Sequence, residues 1–139
     1  MRRGLIIVEP KAHRRLSLVA ALRDQYEVIP LMSLDGALRQ IRDHRPEIVL
    51  IGVGRRSGPC LRLCRQIKTD AGSQAYVGLI DWNHNLPTPE ATIKDCRCDG
   101  VFSGVPDDTA ACHFSDSLNP KTPTIQGVDK PKGLLRFLS

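Results

Sequence analysis

Glu47-Ile48-Val49-Leu50-Ile51-Gly52 sets four consecutive apolar residues between an acid and a glycine, with Arg45-Pro46 before them and the loop Gly54-Arg55-Arg56-Ser57-Gly58 after. A run this short and this uniformly apolar reads as a strand buried on both faces, the kind found in a parallel sheet covered by helices. Proline lacks the amide donor and disfavours helix in the residue before it, so Arg45-Pro46 ends whatever precedes the strand. The strand is expected over 47–53.

Working outward, the same alternation of apolar runs and helical spacing repeats. Upstream, Ser33 reads as the N-cap of a helix to His44, with Leu34, Ala37, Leu38 and Ile41 at i, i+3, i+4 and i+7. Leu5-Ile6-Ile7-Val8, closed by Glu9-Pro10, reads as a second strand buried on both faces. A helix is expected over 11–25, burying Leu16, Val19 and Ala20 and turning Arg14, Arg15 and Arg23 to solvent. Glu27-Val28-Ile29 reads as a short strand. Downstream, Pro59 suits a first helical turn. Cys60, Leu63, Cys64 and Ile67 form the inward stripe of that helix, and Arg62, Arg65, Gln66 and Lys68 its outer face. A strand over 75–80, a helix from Thr88-Pro89 to about Arg97 and a brief strand at Val101-Phe102 complete the pattern. Beyond Pro106 it decays. Residues 107–118 offer a weak helix with Ala110, Ala111, Phe114 and Leu118 as its stripe, and 119–139 read as an irregular tail broken by Pro120, Pro123, Gly127, Pro131 and Gly133. Strand, helix, strand in this order predicts an α/β fold around a parallel sheet, with one domain over 1–118 and a separate tail.

The 139 residues suffice for one ordinary core without disulfide or metal staples, and 41% hydrophobic with 25% charged residues is a globular composition. No apolar stretch approaches the roughly 18 residues a membrane span requires. The run before Pro10 is too short for a secretory signal, and five cysteines is an odd number, so a cytoplasmic protein with reduced thiols is expected. The net charge is +5, and residues 120–139 hold Lys121, Lys130, Lys132 and Arg136 against Asp129 alone. The remainder is nearly balanced, which argues against a broad nucleic-acid-binding face.

Three stretches, Leu5-Ile-Ile-Val-Glu9, His44-Arg-Pro-Glu-Ile-Val-Leu-Ile51 and Leu61-Arg-Leu-Cys-Arg-Gln-Ile-Lys68, resemble the receiver domain of two-component response regulators over about residues 4–106. The resemblance implies a flavodoxin-like (βα)5 doubly wound sheet of order 2-1-3-4-5, here with a weak fifth helix and an irregular C-terminal tail, and a site at the carboxyl ends of strands one and three. It also implies a chemistry: two acids after strand one holding magnesium, a phosphoacceptor aspartate after strand three, a hydroxyl after strand four and a lysine after strand five. In this chain Glu9 matches the first acid and Pro10 takes the place of the second. Gly52 stands at the phosphoacceptor position, no Ser or Thr occurs between Ser73 and Thr88, and Ser103 is followed by Gly104 where the lysine belongs. Phosphotransfer loses its nucleophile, a metal ligand, the hydroxyl and the lysine together, so the chain resembles a pseudo-receiver.

Several residues carry two readings. Gly52 is either a position of close backbone approach or part of a site given to another ligand. Asp81 is a substitute acid or, as is common after a strand, a turn residue. Gly54, Arg55, Arg56 and Ser57 could present amides and charge to an anion before a helix N-terminus, or form a solvated loop. Cys96 and Cys98, with Cys60, Cys64, Cys112 and His113, suggest zinc by residue type. Topology is expected to keep the helix-three cysteines from the other two, so no metal and no cofactor is expected.

The function expected is a stand-alone, non-enzymatic, phosphorylation-independent interaction module of bacterial signal transduction. Its partner would be a protein of a signalling or polarity pathway, a homodimer being one assembly this allows. Phe114, Leu134, Leu135, Phe137 and Leu138 are the candidate partner contacts. The alternative is a sensor of a nucleotide or other phosphate-bearing small molecule using the loop 52–58. About 33 residues after the fifth strand are too few and too irregular for a helix-turn-helix.

Overall fold

The computed structural model describes residues 3–70, 74–83 and 86–103. In chain order these form β1 (Arg3–Val8), α1 (Ala12–Leu22), β2 (Tyr26–Leu31), α2 (Ala37–His44), β3 (Ile48–Val53), α3 (Gly58–Thr69), β4 (Tyr76–Asp81), α4 (Pro89–Cys96) and β5 (Gly100–Ser103). The strands make one parallel sheet of order β2-β1-β3-β4-β5, the flavodoxin-like arrangement. The segments expected to form a weak fifth helix and an irregular tail, with Phe114, Leu134, Leu135, Phe137, Leu138, Cys112 and His113, lie outside the described residues.

Side chains alternate between the two faces of a strand, and the apolar runs therefore feed two cores. On one face Ile6, Val8, Val49, Ile51, Val77 and Leu79 pack with Ala37, Ile41, Leu63, Cys64 and Ile67 of α2 and α3. On the other, Leu5, Ile7, Ile48, Leu50, Ile80 and Phe102 pack with Leu18 and Leu22 of α1. Every residue of β3 is buried, as a strand central to the sheet requires. Gly100 gives up its side chain to a neighbour: a Cβ there would overlap the Tyr76 hydroxyl.

Local departures from the sequence expectations have physical causes. In α1 the buried residues are Leu18 and Leu22; of the residues expected inward, Val19 is half-buried and packs on this core, whereas Ala20 is exposed and Leu16 is 64% exposed. Residues 16–22 are apolar at all but one step, so their spacing fixes no phase until the sheet supplies one. Ser33 is not the cap of α2. Its Oγ accepts from the Asp35 amide in a turn, and the helix starts three residues later behind Gly36, whose φ of 77° supplies the left-handed step. β2 runs past Pro30, which an edge strand tolerates because its outer side has no ladder partner. Helix α4 begins as expected: Thr88 Oγ1 accepts from the Ala91 amide and Pro89 occupies the first turn. Arg45 and Arg97 take left-handed conformations that close α2 and α4.

At the amino edge of the sheet, Asp99 fastens three elements. Its Oδ2 accepts from Lys68 Nζ of α3 at 2.7 Å and from the Val77 amide of β4 at 2.8 Å, just ahead of β5.

Candidate functional site

Strands β1, β3 and β4 deliver Glu9, Gly52 and Trp82 to the carboxyl edge on the α1 side of the sheet, the face that Ile7, Leu50 and Ile80 share. Glu9 follows the last residue of β1 and is only 2% exposed. An ionised carboxylate withdrawn this far from water needs compensating donors. Two are present: Trp82 donates its indole N–H to Oε1 at 2.8 Å, and the Lys11 amide donates to Oε2 at 3.0 Å. The backbone around it is also tied down. The Glu9 amide donates to the Leu31 carbonyl at 3.0 Å, and Arg15 Nη1 donates to the Glu9 carbonyl at 2.9 Å and to that of Pro10 at 3.2 Å.

Gly52 completes the arrangement by what it lacks. A Cβ at this position would overlap Glu9 Oε1, lie 2.8 Å from Glu9 Cδ and 3.1 Å from the Trp82 indole nitrogen. The carboxylate thus occupies the volume that any larger residue at 52 would claim. Above the indole sits Arg14, its guanidinium carbon 5.0 Å from the ring centroid, a cation–π distance. Backbone, carboxylate, indole and guanidinium form a closed stack. Arg14 and Arg15, expected at the solvent, are half-buried parts of this edge.

Asp81 is buried too, but by alternation it falls on the side of Val77 and Leu79, opposite Glu9. Its Oδ2 accepts from the Leu86 amide at 3.0 Å, closing the turn after β4. The loop between β3 and α3 exposes Arg55 and Arg56. Backbone anion nests need a left-handed step, and among the described glycines only Gly36 has positive φ, so Gly54 and Gly58 supply none. Ser57 precedes α3 without a side-chain capping bond. Ser103 ends β5, and Gly104 lies outside the described residues.

The cysteines require a correction. Cys60 does sit at the carboxyl edge, its thiol donating to the Gly52 carbonyl at 3.6 Å. One turn further along α3, Cys64 reaches the end of α4: its thiol donates to the Cys96 carbonyl at 3.4 Å, in the buried cluster that also holds Cys98. The expected separation fails because one helical turn carries a residue about 5.4 Å down the sheet. Among the described residues no group of three or more His, Cys, Asp or Glu is placed to hold a metal ion.

No protein-family model matches the sequence, and no curated protein is similar to it. Solved structures do match. NtrX from Brucella abortus superposes with a TM-score of 0.70 at 19% identity over 88% of this chain and 28% of its own. The isolated REC domain of RcsB from Salmonella enterica serovar Typhimurium gives 0.68 at 15% identity, covering 100% of both chains. The chemotaxis response regulator CheY4 of Vibrio cholerae gives 0.64 at 13%, over 74% of this chain and 87% of its own. The chain has the receiver fold. It spans only about a quarter of the length of NtrX, 28%.

Receiver chemistry calls for magnesium held by converging oxygens. Here the edge offers Glu9, whose two carboxylate oxygens already accept from Trp82 and Lys11, beside Pro10 and Gly52, which offer no side-chain oxygen. The residues present do not fit that ion, nor an aspartyl phosphate at position 52. Trp82 and Arg14 were not singled out in the sequence. The available signal was the chain's one tryptophan, placed directly after a strand at the ligand edge of the sheet.

Proposed function

We propose that this chain is a receiver-fold protein-interaction module of bacterial signal transduction that works without phosphorylation and without catalysis. Receiver domains act through protein partners, and one observation supports a phosphorylation-independent version. Glu9, held by Trp82, fills the space over Gly52 where the phosphoacceptor side chain would stand. The site is therefore occupied by the protein's own packed core. A partner would read the fold in one constant state, with Phe114 and the apolar cluster Leu134, Leu135, Phe137 and Leu138 as its contacts. No helix among the described residues is long and apolar enough to cross a membrane, which agrees with a partner met in solution.

The test is incubation of the chain and of Gly52→Asp with acetyl phosphate and magnesium, followed by intact mass measurement. Neither is expected to gain a phosphoryl group. A stable acyl phosphate on the unaltered chain would overturn the reading, and one on Gly52→Asp would show that the Glu9 plug yields. Affinity capture, with and without the phosphodonor, should recover the same partners, and deletion of 120–139 should lose them.

A further inference from the structure

Cys64, Cys96 and Cys98 are three thiols drawn from α3, the last residue of α4 and the link into β5, all buried in one apolar cluster. The Cys64 thiol donates to the Cys96 carbonyl at 3.4 Å, inside the cluster that all three share. Buried cysteines ordinarily pack as small apolar groups scattered through a core. Here α4 buries Thr92 and Cys96 and packs Ile93 on the same cluster, so the three cysteines share one small part of the core. Cys96 and Cys98 are two apart in sequence, a separation that strains a disulfide. Cys64 comes from a different helix and reaches the end of α4.

We infer that Cys64 and Cys96 form a reversible disulfide on exposure to a hydroperoxide, fixing α4 against α3. The sulfur of Cys96 attacks the terminal peroxide oxygen, the O–O bond breaks, and the alcohol or water leaves with the proton Cys96 gives up. Cys64 then attacks the sulfenic sulfur, the S–S bond forms, the S–O bond breaks, and water leaves with the Cys64 proton. Two thiols lose two electrons and two protons, and the hydroperoxide is reduced to alcohol and water. A dithiol reductant reverses the bond by exchange.

The environment suits the roles. Neighbouring Cys64, then Cys98, lower Cys96 against the opposing effect of burial, with Arg65 adding to the lowering, whereas Cys64 is raised by Cys96 and Cys98 and then by burial. The oxidant enters when α4 opens, and an eight-residue helix with two buried side chains belongs to the least stable part of such a fold. The proposal does not depend on how the carboxyl edge of the sheet is read.

The experiment treats the full chain with hydrogen peroxide, blocks remaining thiols and digests with trypsin under non-reducing conditions. Cleavage at Arg62, Arg65, Lys94 and Arg97 places Cys64 and Cys96 on separate short peptides and parts Cys96 from Cys98. The expected product is the linked pair Leu63–Arg65 with Asp95–Arg97, lighter by two hydrogens and released by dithiothreitol. Hydrogen exchange of the α4 amides should slow in the oxidised protein. Cys98→Ala should still cross-link and Cys96→Ala should not. Linkage of Cys64 to Cys98, modification of other cysteines with this pair left reduced, or a cross-link that leaves α4 exchange unchanged would each overturn the inference.

Discussion

A hydrogen atom at position 52 and a carboxylate at position 9 are one packing decision. Adding a methyl group at 52 forces Glu9 off its two donors or displaces Trp82, since the Cβ would meet both. Overpacking of this kind typically costs about 1–3 kcal/mol. Gly52→Ala is therefore expected to lower stability by that amount in a urea titration, and much less in a Glu9→Ala background, where the space is empty. Equal costs in the two backgrounds would show that residues 9 and 52 do not compete. Gly52→Asp should cost more, because it adds a second buried carboxylate with no donor of its own. That a glycine stands where a receiver's phosphoacceptor is expected was legible in the sequence. What replaced it was not, because Glu9 and Trp82 are 73 positions apart and nothing local to either marks the other.

Among the elements, strands were read more securely than helix faces. Leu5-Ile6-Ile7-Val8 and Ile48-Val49-Leu50-Ile51 are apolar on both sides, so their burial needs no choice of phase. The stripe Cys60, Leu63, Cys64, Ile67 was equally plain, because basic residues fill the other side of α3. In α1 the choice belonged to the sheet, and Leu16 was assigned inward when it points out. The difference is measurable: Leu22→Ala should destabilise by about 2–5 kcal/mol, whereas Leu16→Ala should stay within about 0.5 kcal/mol. Chemical denaturation of the two variants side by side reads this directly, and similar losses would return Leu16 to the core. Cys64 shows the same limit. Its place on the inward stripe was evident, but its neighbours depended on where α4 ends.

For the molecule as a whole, the parallel sheet has two buried faces, and polar groups caught in them set its response to alkali. The Tyr76 hydroxyl is buried without a hydrogen-bond partner among the described residues, and burial, then the charge of Asp99, raise its ionisation above the usual 10.0. Cys60 is raised above 9.0 by burial, then by Glu9. Both groups are neutral in the fold and ionise more readily once unfolded. Their contribution is complete below their ordinary values and disappears as pH rises from about 9 toward the higher folded values. Stability should fall across that window. Tyr76→Phe should flatten the part above 10.0 and, by removing an unpartnered hydroxyl, raise neutral-pH stability by about 1 kcal/mol. A steeper alkaline loss in the variant would contradict this assignment. The stack over Gly52 also has an optical consequence. The chain's single tryptophan is the residue that donates to Glu9, so intrinsic emission excited in the indole band reports on one location only. Loosening of β1 can be followed without a dye, by whether that one chromophore keeps its place against the carboxylate.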